Sequence, residues 1–138
     1  ETGERETAVD FKIKQEQGRI PVTVIQIIGE LTSDEELIAQ AQTAYDDGTR
    51  DLLIDLSQVS YMSSIGLRAI HELFLLMKSD APEESQEAMM EGVRSGTFTS
   101  PHLKLYNPPP DVMSVLKTTG YDMYIEIYTD YDKGIASF

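Results

Sequence analysis

Apolar and polar positions alternate from Asp10, with Phe11 and Ile13 apolar and Lys12 and Lys14 polar, the period-2 signature of a half-buried strand. Gly18-Arg19 is a turn signal, and the β-branched run at 21–28 ends at Gly29. The opening therefore reads as a hairpin. Thr32 and Ser33 stand three residues before Glu35 and Glu36, the spacing of a capping box. Leu37, Ile38, Ala41, Ala44 and Tyr45 follow on one helical face that ends at Gly48. Residues 51–56 (DLLIDL) form the short apolar run of an inner strand. After a link at 57–62, a second helix opens at Ser63 or Ser64 and carries Leu67, Ile70, Leu73, Phe74 and Met77 at helical spacing. Leu75 and Leu76 widen its apolar face, which implies cover from more than one side.

The rhythm breaks at 80–100, where Asp80, Glu83, Glu84, Glu87 and Glu91 accompany Gly92 and Gly96. This segment is expected to be an acidic loop or one short helix. Residues 102–106 read as a strand, and Asn107-Pro108-Pro109-Pro110 as a rigid turn. A helix over 111–119 turns Val112, Val115 and Leu116 inward and ends at Gly120. Residues 124–128 (YIEIY) alternate as a last strand, and 130–138 put Tyr131, Ile135 and Phe138 on one helical face. Strands alternating with helices predict an α/β layer with a mostly parallel sheet.

The chain has 138 residues, enough for one domain and one core. Residues 1–9 are polar and aperiodic, a flexible tail ahead of a domain over 10–138. Eleven Lys+Arg against 24 Asp+Glu give a formal net charge of −13. Nucleic acid needs clustered cations, and anionic membranes attract them, so neither is an expected partner. Cysteine is absent, which removes disulfides, thiol nucleophiles and Cys-ligated metals and fits the reducing cytoplasm. No apolar run is long enough to span a membrane. The chain begins at Glu1, which permits a piece of something larger, whereas Phe138 closing the last helical face favours a complete C-terminus.

Signals for catalysis are weak. His71 and His102 lie on different elements without metal-ligand spacing, and His71 reads as a helix-surface residue. No phosphate loop and no nucleophile elbow is present, and no pair among the abundant carboxylates stands out as an acid and a base. No enzyme, metal or cofactor is expected. The stretch at 53–68, LIDLSQVSYMSSIGLR, stands apart because small hydroxyl residues follow a buried strand at the mouth of a helix. Ser there is an ordinary N-cap. A serine at a helix N-terminus is also suited to phosphorylation, since unpaired N–H groups and the positive dipole end hold the added charge.

Asp55-Leu56-Ser57, Val59, Met62, Ser64, Gly66 and Leu67 match in register the signature D-L-S-x-V-x-x-h-D-S-S/T/A-G-L. On these residues the chain resembles the STAS domain, the fold of bacterial anti-sigma-factor antagonists. Gly29-Glu30-Leu31, Leu105-Tyr106-Asn107-Pro108 with Val112 and Leu116, and Thr119-Gly120-Tyr121 resemble three further landmarks of that family, in order. The resemblance implies a mixed sheet of four to five strands packed with about four helices. It also implies a cytoplasmic regulator that binds an anti-sigma factor, itself a serine kinase, when unphosphorylated. Phosphorylation would release that partner, and a serine phosphatase would reset the switch.

The family's acceptor position is Ser64. Ser63 replaces the family aspartate before it and competes as acceptor, and Thr32 replaces the aspartate that often follows G-E-L. The partner surface is expected at Thr32, Ser33, Ser63, Ser64, Ile65 and Leu67. The segment at 80–100 departs from compact members as an acidic insertion. Alternatives are a STAS module of a larger protein, such as an anion transporter tail or a multidomain sensor, and a nucleotide-binding domain.

Overall fold

The computed structural model describes residues 9–78 and 102–138. The acidic segment at 80–100 lies outside them, as does the expected tail except Val9, which packs on the core. β1 (Asp10–Gln17) and β2 (Pro21–Leu31) form the predicted hairpin, antiparallel with Ile13 opposite Ile25. α1 (Glu35–Asp46) leads to β3 (Leu52–Met62), and α2 (Ser64–Lys78) follows. β4 (Leu103–Tyr106), α3 (Pro110–Thr119), a 3₁₀ turn (Tyr121–Met123), β5 (Glu126–Tyr128) and α4 (Tyr131–Ala136) complete the described chain. The five strands lie in chain order, β1 to β5, with every pair after the hairpin parallel.

Parallel neighbours added always in one direction through right-handed crossovers put their helices on one face of the sheet. That face holds the main core. Ile25 and Ile27 of β2, Ile54 of β3, Leu37 of α1, Ile70 of α2 and Leu116 of α3 are all completely buried there. Each such side chain contributes roughly 1.5–3 kcal/mol relative to exposure. The opposite face is covered in part by α4, where Ile135 and Phe138 pack on Val22, Val24 and Leu53. Leu53 and Ile54 are adjacent yet serve different cores, as the strand period requires.

Three element limits and two side-chain placements differ from the sequence reading. Residues 57–62 are strand, not link, because β2 runs on to Leu31 and pairs with them as far as Leu31↔Met62. Neither Thr32 nor Ser33 caps α1. Asp34 occupies that position without a side-chain cap bond, its carboxylate instead lying 4.0 Å from Arg68 Nε on α2. The last strand starts at Glu126, since 121–123 wind into the 3₁₀ turn. On α2, Leu76 packs on the core while Leu75 is left exposed. His71 is half-buried against Phe74 and Tyr121 instead of lying on the helix surface.

Candidate functional site

The carboxyl ends of parallel strands are where open α/β sheets place their working loops. Here β2 and β3 end side by side, with Leu31 opposite Met62. Both chains then leave the sheet together. Ser63 N–H donates to Leu31 O at 3.0 Å, which pins the start of α2 against the loop Thr32-Ser33. The two hydroxyl pairs singled out in the sequence are thus brought to one end of the molecule. Thr32 and Ser33 are exposed, as are Ser64 and Ile65.

Gly66 makes this approach possible. A Cβ at that position would sit 2.3 Å from Leu31 O and 2.9 Å from Leu31 Cγ. Any side chain would push the first turn of α2 away from the end of β2. The glycine of the signature is therefore a packing requirement.

The two serines differ in what their hydroxyls do. Ser63 is half-buried and serves as N-cap: its Oγ accepts from Gly66 N–H at 3.2 Å, and its carbonyl accepts from Leu67 N–H at 2.9 Å. Its Oγ also lies 3.5 Å from Leu31 O. Ser64 is exposed in the first turn of α2 and has no side-chain hydrogen bond among the described residues. The N–H groups of Ser64 and Ile65 have no intrahelical acceptor at that position. The rim is acidic, with Glu30, Asp34, Glu35 and Glu36 on the adjoining strand end and helix start.

Ile65 is 48% exposed and Tyr61, on the last turn of the pleat before α2, is 53% exposed. Both are large apolar groups left open to solvent near the start of α2. Tyr61 escaped the sequence reading because it lies in the stretch taken for a link. Leu67 stands apart from this rim, half-buried and packed on the core.

Asp55 and Ser57, the polar pair of the D-L-S signature, work inside the strand. Asp55 Oδ1 accepts from Ser57 N–H at 2.9 Å and from Ser57 Oγ at 2.6 Å, and Oδ2 accepts from Gln26 Nε2 at 3.2 Å. These bonds lie where the β2–β3 register shifts, between Gln26 and Ile28. They hold an irregularity that re-aims the end of β3 and satisfy a carboxylate that is 7% exposed. Among the described residues no group of three His, Asp or Glu side chains is placed to hold a metal ion, and no helix is long and apolar enough to cross a membrane.

No protein-family model matches the sequence, and no curated protein matches it. Solved structures do match in fold. An anti-sigma factor antagonist from Mycobacterium paratuberculosis superposes with a TM-score of 0.71 at 16% identity, covering 95% of this chain and 94% of that one. SpoIIAA in its unphosphorylated form, an anti-sigma factor antagonist, gives 0.63 at 19% identity, covering 90% and 92%. The Bacillus cell fate determinant SpoIIAA in its phosphorylated form gives 0.59 at 17% identity, covering 90% and 96%. With one five-stranded mixed sheet and four α-helices among its described residues, the chain has the STAS fold of the anti-sigma factor antagonists.

Proposed function

We propose that this protein is a cytoplasmic anti-sigma-factor antagonist that acts by phosphorylation-controlled partner switching, and that it is not an enzyme. Unphosphorylated, it binds an anti-sigma factor that is also a serine kinase, through Thr32, Ser33, Ser63, Ser64, Ile65 and the neighbouring Tyr61. Leu67 supports that surface from within. Phosphorylation of Ser64 releases the partner, and a serine phosphatase restores the first state. The working unit is a single domain over 10–138, with residues 80–100 as an insertion.

The observation that carries this reading is the difference between the serines. Ser64 offers an exposed, uncommitted hydroxyl at a helix N-terminus, whereas the Ser63 hydroxyl accepts the capping bond from Gly66. A phosphate on Ser64 adds about −1.5 to −2 charges near neutral pH. It would meet unpaired N–H groups and the positive end of the α2 dipole, so the domain tolerates it. The partner, docked on Ile65 and Tyr61, does not.

The test is phosphopeptide mapping after incubation with the cognate kinase, alongside pull-downs with variants. Modification at Ser64, loss of binding in Ser64→Asp and retained binding in Ser64→Ala are expected. Modification that persists elsewhere in Ser64→Ala would remove Ser64 as the switch.

A further inference from the structure

A concavity starts one turn along α2 from Ser64, at Leu67, and lies between α2 and the corner that follows α3. Leu67, His71 and Phe74 line it from α2, where they recur at helical spacing, and Thr119, Tyr121 and Tyr124 line it from the other side. Its volume is about 500 Å³, within the range of small-molecule pockets and with the apolar walls typical of them. Gly120 builds the far wall. It ends α3 with φ +82, a left-handed conformation that other residues adopt only with strain. The chain thereby reverses into the 3₁₀ turn and aims Tyr121 and Tyr124 back at α2. The Tyr121 ring stands edge-on to His71 with centroids 5.7 Å apart, and Phe74 is stacked with His71 at 6.3 Å.

One polar atom of the lining residues has nothing to bond among the described residues. Among the described residues, His71 Nδ1 is buried and has no hydrogen-bond partner. Buried polar atoms are paired in the great majority of cases, and an exception calls for an explanation. An unpaired acceptor is tolerated better than an unpaired N–H, so the tautomer with its proton on Nε2, in which Nδ1 is an acceptor, is the less costly one. Nδ1 is turned away from solvent as it stands, but the ring torsion of histidine is broad and roughly two-fold, so rotation about it is the movement that would bring Nδ1 to the cavity. Thr119 does not compete for it, because its hydroxyl donates to Val115 O at 2.7 Å.

We propose that this cavity is a binding site for a small, flat, apolar molecule carrying one hydrogen-bond donor, which stacks between the rings and donates to His71 Nδ1. The aromatic walls select the flat shape, and the orphaned nitrogen selects the donor. This goes beyond the switching function. Its test is a binding measurement that involves neither kinase nor phosphate.

The probes are indole and its carbon isostere indene, titrated into the full chain labelled with ¹⁵N. Indole should saturate with an affinity of roughly millimolar order, as for a fragment of its size. It should shift the His71 imidazole nitrogen signals and the amides around Gly120. Indene, without the N–H, should bind about tenfold more weakly, the worth of one hydrogen bond. In His71→Phe the two probes should bind alike. The wild-type imidazole signals keep the test decisive should that variant fail to fold. Absence of saturable shifts with indole, equal affinity for indene in the wild type, or shifts confined to another part of the chain would each overturn the assignment.

Discussion

Adjacent serines at the mouth of α2 have been given different tasks by one hydrogen bond. Ser63 Oγ accepts from Gly66 N–H at 3.2 Å, so Ser63→Ala should destabilise the fold by about 1 kcal/mol, the usual worth of an N-cap. Ser64→Ala removes an exposed hydroxyl without a bond and should stay within about 0.5 kcal/mol of the parent. Urea titrations of both variants check the contrast, and equal losses would mean that the cap is misassigned. Gly66→Ala is the harsher change. Its methyl would meet the Leu31 carbonyl oxygen at 2.3 Å, backbone that cannot swing aside. A loss of about 1–3 kcal/mol is expected from overpacking, and partner binding should fall further than stability, because the two loops are forced apart. A Gly66→Ala protein that bound its partner normally would show that the apposition of these loops is not what the partner reads.

At the scale of elements, the sequence was informative where burial is one-sided and regular. The stripe Ile70, Leu73, Phe74 and Met77 is the core face of α2, and the alternation at Phe11 and Ile13 marks β1, although only Phe11 of that pair packs on the core and Ile13 is 45% exposed. The second half of β3 was illegible for a physical reason. The register shift at Gln26/Ile28 breaks the period of two, and β4 pairs β3 only over Leu52 to Asp55. Ser60 and Tyr61 are therefore exposed, and the stretch looks like a loop. The expected cap of α1 failed because tertiary geometry, with Ser63 N–H held by Leu31 O, decides where the chain leaves the sheet. The signature pointed to the loop at the mouth of α2, but not to exposed Tyr61 at the end of β3.

α4 shows how a short element is fastened. Asp130 caps it through Lys133 N–H, buried Lys104 donates to Ser137 O at 2.9 Å, and Tyr131 OH donates to Glu16 Oε2 at 2.7 Å. Burial, then the bond to Glu16, pushes the Tyr131 hydroxyl up to about 12. The folded state thus prefers the neutral phenol. A raised pKa gives stability that is complete below the unfolded value near 10 and is lost as pH climbs through 12. Thermal midpoints should fall across that window. Tyr131→Phe, which has no proton to lose, should show a shallower alkaline decline, and an unchanged slope would rule Tyr131 out as its source.

Across the whole molecule, charge and contact should separate in the kinetics of partner binding. A net charge of −13, with Glu30, Asp34, Glu35 and Glu36 around the end of β2 and the start of α1, favours a basic partner face and sets up a field that guides encounter. That field is screened once the Debye length falls from about 10 Å at 0.1 M salt to about 3 Å at 1 M. The association rate should therefore drop about tenfold or more between low and high salt while dissociation changes little. Under the proposed switch the effect of phosphorylation works differently, because the added charge would sit next to Ile65 within the proposed contact. Ser64→Asp should raise the dissociation rate at every salt concentration, since a charge buried against a partner without a counter-ion is not relieved by screening in bulk water. Surface plasmon resonance of wild type and Ser64→Asp over a salt series separates the two contributions. If high salt restored the variant's dissociation rate to the wild-type value, the switch would act through the long-range field and not through the loop at the mouth of α2.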